Sequence, residues 1–215
     1  RTGDTVYLHG QAATPTVLLQ ALVDRAPELA GVTVAHLHAE GPAPHLAPEM
    51  APHFRHRALF IGPSARQAVN EGRADYVPIF LSDVPQLFLS GELKLDAVLV
   101  NVTPPDAHGF CSLGTSVEAM HAAIRSARTV VAQLNPAMPR TLGESFVHVD
   151  DIDLAVEIEP MAPYSHAPVP IGDVERRIGE FVGDLIEDGA TLQMGIGAIP
   201  GAVCAALTHK RDLGV

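Results

Sequence analysis

Tryptophan is absent, aromatic residues make up 5% of the chain and 18% of it is charged, yet 47% of the 215 residues are hydrophobic. That balance excludes disorder and describes a soluble globular chain of one large domain, or of one and a fraction. Long apolar runs are also missing. Every stretch of about 20 residues is broken by a charge, a proline or a glycine, and the densest, Asp96–Thr103, has the length of a strand, so no segment reads as a bilayer span. Basic residues are scarce: 14 Lys plus Arg stand against 25 acids, for a net charge of −11. Nucleic-acid binding draws on a basic surface, so a phosphate-backbone partner is excluded and any anionic ligand must be held locally. Cysteine occurs only at Cys111 and Cys204, without a C-x-x-C or metal spacing, which argues against a disulfide framework and places the chain in a reducing, cytoplasmic compartment. The chain opens at Arg1 without Met and without a charged-then-apolar signal segment, so its first residue is expected to be a processing boundary or an artificial one.

What is present is an alternation of short apolar runs with helical patterns, the order of an α/β protein whose sheet is largely parallel. The expected strands are Thr5–Leu8, Val32–Leu37, Ala58–Ile61, Tyr76–Phe80, Ala97–Val102, Thr129–Gln133, Ser145–Val149 and Leu192–Met194. The expected helices are Pro15–Arg25, Ser64–Glu71, Val84–Ser90, Val117–Ser126, Val174–Glu187 and Pro200–Lys210. Thr14 is placed to cap the first helix, with Pro15 at its first position, where a missing N–H costs nothing. The Pro-rich text from Ile158 to Asp173 reads as an extended connection. This divides the chain into a first domain at 1–157, a linker at 158–173 and the start of a second unit at 174–215, too short to bury a core of its own. Shifting the chain by 185 residues aligns Asp4–Leu22 with Gly189–Leu207, matching Gly10 to Gly195, Ala13 to Ala198 and Pro15 to Pro200, as a repeated domain requires. Any strand-turn-helix can produce a match of this length.

Three patterns carry chemistry. In Gln193-Met194-Gly195-Ile196-Gly197-Ala198-Ile199-Pro200, a strand enters a glycine turn that opens a helix, where the backbone can approach a ligand and free N–H groups favour an anion. The turn lacks the third glycine of a dinucleotide fingerprint and the Lys-Ser/Thr of a Walker loop. A structural turn explains it equally well. The second pattern, Val102–Gly114, is a polar loop at the carboxyl end of a buried strand and carries Asp106, His108, Cys111 and Ser112. Such triads are defined by geometry, so a pocket-lining loop is favoured over a nucleophile. The third is a set of histidine pairs, His36-x-His38 and His53-x-x-His56, without a clear third ligand, so no metal is expected. Glu180, Glu187 and Asp188 read as solvent or helix-stop residues.

Phe60-Ile61-Gly62-Pro63, the run Ala68–Pro78, Pro104-Pro105-Asp106 through Gly114, Asn135–Thr141 and Gly195–Pro200 together resemble the acetyl-CoA hydrolase / 4-hydroxybutyrate CoA-transferase family, over nearly the whole chain. The resemblance implies an enzyme of about twice this length. Its two domains would each be an open α/β sheet of the CoA-transferase type with flanking helices, so that this chain holds one domain plus the first strand and helices of a second. It implies transfer of CoA between an acyl-CoA, of acetyl or 4-hydroxybutyryl type, and a short carboxylic acid through a glutamyl-CoA thioester. CoA is then a substrate, with no tightly bound cofactor. By similarity Gly195, Ile196, Gly197, Ala198 and Ile199 contact CoA. The catalytic glutamate of the family's His-Thr-Glu is expected just past Val215, which leaves no catalytic residue within the chain and implies an inactive fragment. Gly201 departs from the Asp usual among relatives. Acyl-CoA hydrolase and a non-catalytic CoA-binding module are the alternatives, with a sugar-phosphate isomerase behind them for want of an acid/base pair. Apolar helix residues Ala202, Val203 and Leu207 suggest a homodimer.

Overall fold

The computed structural model describes residues 1–165 and 170–214; residues 166–169, inside the expected linker, and Val215 lie outside the described residues. The chain forms two compact units, Arg1–Ser165 and His166–Val215.

In the first unit the apolar runs become β1 (Thr5–Leu8), β2 (Val32–His36), β3 (Phe54–Ala58), β4 (Ala74–Tyr76) and β5 (Ala97–Val102), then β6 (Phe110–Ser112), β7 (Val130–Leu134), β8 (Phe146–His148) and β9 (Leu154–Glu157). Seven of them pair in the order β4-β3-β2-β1-β5-β7-β9, all parallel, while β6 and β8 form a separate antiparallel ribbon. The chain first lays β2, β3 and β4 on one side of β1, then crosses to lay β5, β7 and β9 on the other. The junction of β1 and β5 is therefore the point where crossovers part, and in open parallel sheets that is where a ligand crevice forms.

Strand alternation divides the core. Tyr7, Val98, Val100 and Val102 point to one face, where α3 (Val84–Leu89) and α4 (Met120–Ser126) contribute Phe88 and Met120. Val6, Leu8, Val34 and Leu99 point to the other, under Leu18, Leu19 and Val23 of α1 (Thr16–Asp24). A smaller cluster joins α2 (Pro63–Asn70) to the sheet through Ala58, Ala65 and Ala68.

Several expectations are corrected. The third strand is Phe54–Ala58 and not Ala58–Ile61. Phe54, His56 and Ala58 alternate inward while Arg55 lies outside, and a buried histidine disguises the alternation. The fourth is Ala74–Tyr76 and not Tyr76–Phe80: Pro78 has no N–H for a ladder, and Phe80 is exposed. The strands β6 and β9 are additions; every residue of β9 is exposed, so it carries no inward apolar face to detect. The fourth helix begins at Met120 rather than Val117, because Glu118 has φ +43 and cannot lie in a helix. Thr14 does not cap α1. Its hydroxyl donates to the Gln11 carbonyl, and the Gln133 side-chain oxygen accepts from the N–H groups of Val17 and Leu18 instead.

The second unit holds α5 (Asp173–Asp184) and α6 (Ala198–Ala206). They meet through Gly179, where a Cβ would come within 2.6 Å of the Ala202 carbonyl oxygen. The expected strand Leu192–Met194 is not formed; a single bridge, Thr191 to Gly214, stands in its place, because a strand needs a neighbour to pair with.

Candidate active site

At the β1/β5 junction the first unit has a cavity of ≈ 250 Å³. Ala12 and Thr14 follow β1 into its wall, Glu40 follows β2, Asn101 stands near the end of β5, and Met161 and Tyr164 close it. The wall is tied down by hydrogen bonds. The Glu40 N–H donates to the Thr14 hydroxyl at 3.1 Å, and the Glu40 carboxylate pairs with His38 Nε2 at 2.7 Å. The Asn135 amide binds both the carbonyl and the N–H of Met161, at 2.7 and 3.1 Å.

His9, fully buried, is a bolt between two loops. Its Nδ1 accepts the N–H of Asn101 at 3.3 Å, so the ring proton is on Nε2, which donates to the Ser116 carbonyl at 2.6 Å. Burial is the main cause that lowers its pKa to about 4, so the ring is neutral at pH 7. Nearby, Glu118 turns a carboxyl group inward in the left-handed backbone region. Burial raises its pKa to about 7, and a hydrogen bond from the Ser116 side chain acts in the opposite direction. Backbone strain together with a buried acid is a cost that folds tolerate mainly at functional sites. The sequence held no sign of Glu118: an acid between Val117 and Ala119 reads as a solvent residue, and its burial depends on the distant Gly10.

The polar loop at 102–114, expected to line a pocket, contributes no residue to the crevice and is a shaped turn. Asp106 accepts from the backbone N–H groups of His108 and Phe110, both at 2.9 Å, and receives Arg140 at 2.6 Å, so its carboxylate organises the turn. These donors hold its pKa below the ordinary value, the Phe110 N–H contributing most. Ser112 is buried among Thr141, Ser145 and the Gly114 N–H, and its hydroxyl bonds these groups rather than His108, which is exposed. Burial pushes the Cys111 thiol up, away from the reactive thiolate.

The histidine pairs are split by the fold. His36 stacks against His56 with ring centroids 4.4 Å apart, and His45 joins them through an Nε2 to Nδ1 contact of 3.1 Å. His38 turns to Glu40, and His53 Nδ1 to the Leu29 carbonyl. Among the described residues no group of three or more His, Cys, Asp or Glu is arranged to hold a metal.

In the second unit Gly195 and Gly197 form an open turn into α6. Gly197 has φ +136, a conformation reserved for glycine, and Ile196 is 97% exposed. Among the described residues no cap-residue side chain bonds the start of α6, as none does at α2, α3, α4 or α5, whereas the first N–H groups of α1 are taken by Gln133. Ala198 and Ile199 form the first turn of the helix. Glu180 lies 3.9 Å from Arg176, and Asp188 accepts the Arg211 N–H.

A parallel open sheet with a crevice at its switch point defines an open α/β fold, the kind in which ligands characteristically sit at that crevice. Residues 1–164 match the model of the acetyl-CoA hydrolase/transferase N-terminal domain. The chain belongs to that family. It is 44% identical to a succinyl-CoA:acetate/propanoyl-CoA:succinate CoA transferase of Fasciola hepatica, over 100% of this chain and 45% of that protein. To a 4-hydroxybutyrate coenzyme A transferase of Clostridium kluyveri it is 46% identical, over 98% of this chain and 48% of the other. The crystal structure of 4-hydroxybutyrate CoA-transferase from Porphyromonas gingivalis matches with a TM-score of 0.81 at 35% identity, over 100% of this chain and 50% of that one. The chain thus spans about half the length of the curated relatives it matches.

Proposed function

We propose that the chain is part of a CoA transferase that moves CoA between an acyl-CoA and a short-chain carboxylate. The observation that supports this best is the Gly195–Ile199 turn. It joins a glycine-only backbone conformation to a helix start without a side-chain cap, a place where backbone N–H groups are offered to an anionic group such as a CoA phosphate or a developing oxyanion. Gly195, Ile196, Gly197, Ala198 and Ile199 are read as the CoA contacts. The crevice of the first unit is read as the seat of the acyl group: it is small, mostly apolar and furnished with a few polar groups.

In the chemistry this reading adopts, a glutamate expected just past Val215 attacks the thioester carbonyl. The C–S bond breaks, CoA leaves as thiolate and an acyl anhydride remains. The thiolate then attacks the glutamyl carbonyl, the acyl carboxylate leaves, and a glutamyl-CoA thioester holds CoA for the incoming acid. Splitting the exchange into two acyl transfers lowers each barrier. Unpaired Cys111 and Cys204 fit a reducing, cytoplasmic setting, and a homodimer of the whole enzyme is part of the same reading.

The test is isotope exchange in the full-length protein. Labelled acetate is expected to enter acetyl-CoA at a rate proportional to enzyme, and Gly197→Val is expected to raise KM for acetyl-CoA by at least tenfold. Release of free CoA without an acceptor acid would make it a hydrolase. Stoichiometric CoA binding without exchange would make it a binding module.

A further inference from the structure

Two neighbouring segments of the first unit hold non-glycine residues in the left-handed backbone region: Gln11 at φ +54 and Glu118 at φ +43. Such strain persists only where the surrounding structure over-determines it. Here the two segments are fastened to each other. The His9 ring donates to the Ser116 carbonyl at 2.6 Å, and the Glu118 carboxyl lies against Gly10, so close that a Cβ there would stand 2.8 Å from Oε2. Gly10 opens the loop 10–14, which carries Ala12 and Thr14 into the crevice wall. From there the loop is tied to the rest of the wall. The Gln11 N–H donates to the His38 carbonyl, the Ala12 carbonyl accepts the Tyr164 N–H at 3.3 Å, and the Thr14 hydroxyl accepts the Glu40 N–H at 3.1 Å.

We propose that Glu118 is a positioning residue for the crevice: its uncharged carboxyl, packed on Gly10, holds the 10–14 wall in place, and its carboxylate lets that wall go. Burial opposes a charge at this place, and the Ser116 side chain is the group that bonds the carboxyl. The neighbouring groups do not relieve it. Tyr7 of β1 is buried, its hydroxyl pushed up by burial first and by Glu118 second; His9 is committed to Ser116 and Asn101; and His38 presents its backbone carbonyl to Gly10 while its ring turns to Glu40. None of these brings a compensating charge to the carboxyl. An ionised Glu118 therefore gains by reaching water, which moves it off Gly10. Between pH 4.5 and about 7 each unit of rise favours the open wall about tenfold, and the effect is complete once the pH has passed 7. The inference rests on the reading of the crevice as the acyl seat of a CoA transferase.

The test uses the full-length protein and two readouts. Hydrogen exchange of the Ala13, Thr14 and Tyr164 amides, with the β5 amides as internal reference, reads the wall itself. From about pH 5.5 to about pH 8 their opening constant is expected to rise about tenfold in the wild type and to stay level in Glu118→Gln, whose neutral amide keeps the shape of the acid. Wild-type amides whose opening does not change with pH would overturn the proposal without any variant, and so would a rise that Glu118→Gln leaves in place. The second readout is exchange of labelled acetate into acetyl-CoA. The ratio of wild-type to variant KM for acetyl-CoA is expected to rise about tenfold over the same range while the kcat ratio stays level, because only the closed wall binds. A purely structural role would lower kcat at every pH and leave the KM ratio flat, which would overturn the positioning role. A protein that exchanges no acetate at any pH would defeat the transferase reading, and the positioning role with it, whereas the pH-dependent wall would stand or fall on its amides alone.

Discussion

Gly10 and Glu118 lie in direct apposition: a Cβ on residue 10 would collide with Glu118 Oε1 and stand 2.8 Å from Oε2. The same Cβ would come within 2.7 Å of the His38 carbonyl oxygen, which backbone geometry does not allow to yield. Gly10→Ala is therefore expected to destabilise the protein by about 2 kcal/mol, the usual cost of forcing atoms into a packed site. Glu118→Ala in the same chain should recover part of that loss and not all, since the carbonyl remains. Urea denaturation of the two single variants and the double variant reads this as a coupling energy.

Glu118 also imposes a pH dependence. Its folded pKa of about 7 lies above the ordinary value of 4.5, so between these limits the native state holds a proton that the unfolded chain has released. Stability contributed in this way is present below pH 4.5 and is lost as the pH rises through 7. Glu118→Gln removes the titration. The stability of the variant relative to wild type should increase by about 2 kcal/mol from pH 4.5 to pH 8, less than the full shift implies because the residue is not wholly buried. A difference that stays flat across this range would show that the carboxyl ionises freely.

The buried imidazoles act at lower pH and with the opposite slope. His45 and His56 are depressed to about 3 and His9 to about 4, burial being the first cause in each, and His36 is lowered in the same direction. Below pH 6.5 the unfolded chain takes up protons that the native rings refuse. Stability is therefore full above 6.5 and falls as the pH drops toward 4. Replacing His45 and His56 together by Leu removes both ends of their hydrogen bond and should flatten the acid limb of a Tm-versus-pH profile. An unchanged limb would assign the acid sensitivity elsewhere.

Gln133 caps α1 across the sheet, its oxygen 3.2 Å from the Val17 N–H and 3.4 Å from that of Leu18. Gln133→Leu preserves the apolar volume and removes the acceptor, and is expected to cost about 1 kcal/mol, the usual value of a helix cap. Thr14→Val should not reproduce a lost cap, because the Thr14 hydroxyl serves the Gln11 carbonyl and the Glu40 N–H. Hydrogen exchange of the Val17 and Leu18 amides distinguishes the two variants.

The two glycines of the α5–α6 pair are expected to behave oppositely. Gly201 has no atom within 4 Å of its virtual Cβ, so Gly201→Ala should stabilise α6 by about 0.5–1 kcal/mol. Gly179 faces the Ala202 carbonyl at 2.6 Å, so Gly179→Val should drive the helices apart and lower Tm. Thermal scans of both variants decide the matter.

Chemistry carried by consecutive residues was legible in the chain itself. The apolar runs Thr5–Leu8 and Ala97–Val102 could be nothing but strands, since only a buried parallel sheet accepts such runs from both faces. The glycine turn at 195–197 was equally readable, because φ +136 at Gly197 is a demand that only one residue type meets without cost. Long-range contact was not legible. Phe54–Ala58 passed for a polar segment because the burial of His56 depends on His36 and His45 closing over it, and Gln133 became a helix cap through sheet pairing that no local pattern records. The same holds for Asn101 and Glu118. Their side chains are polar in the sequence and buried in the fold, and only the approach of distant chain segments takes away the water that would have surrounded them.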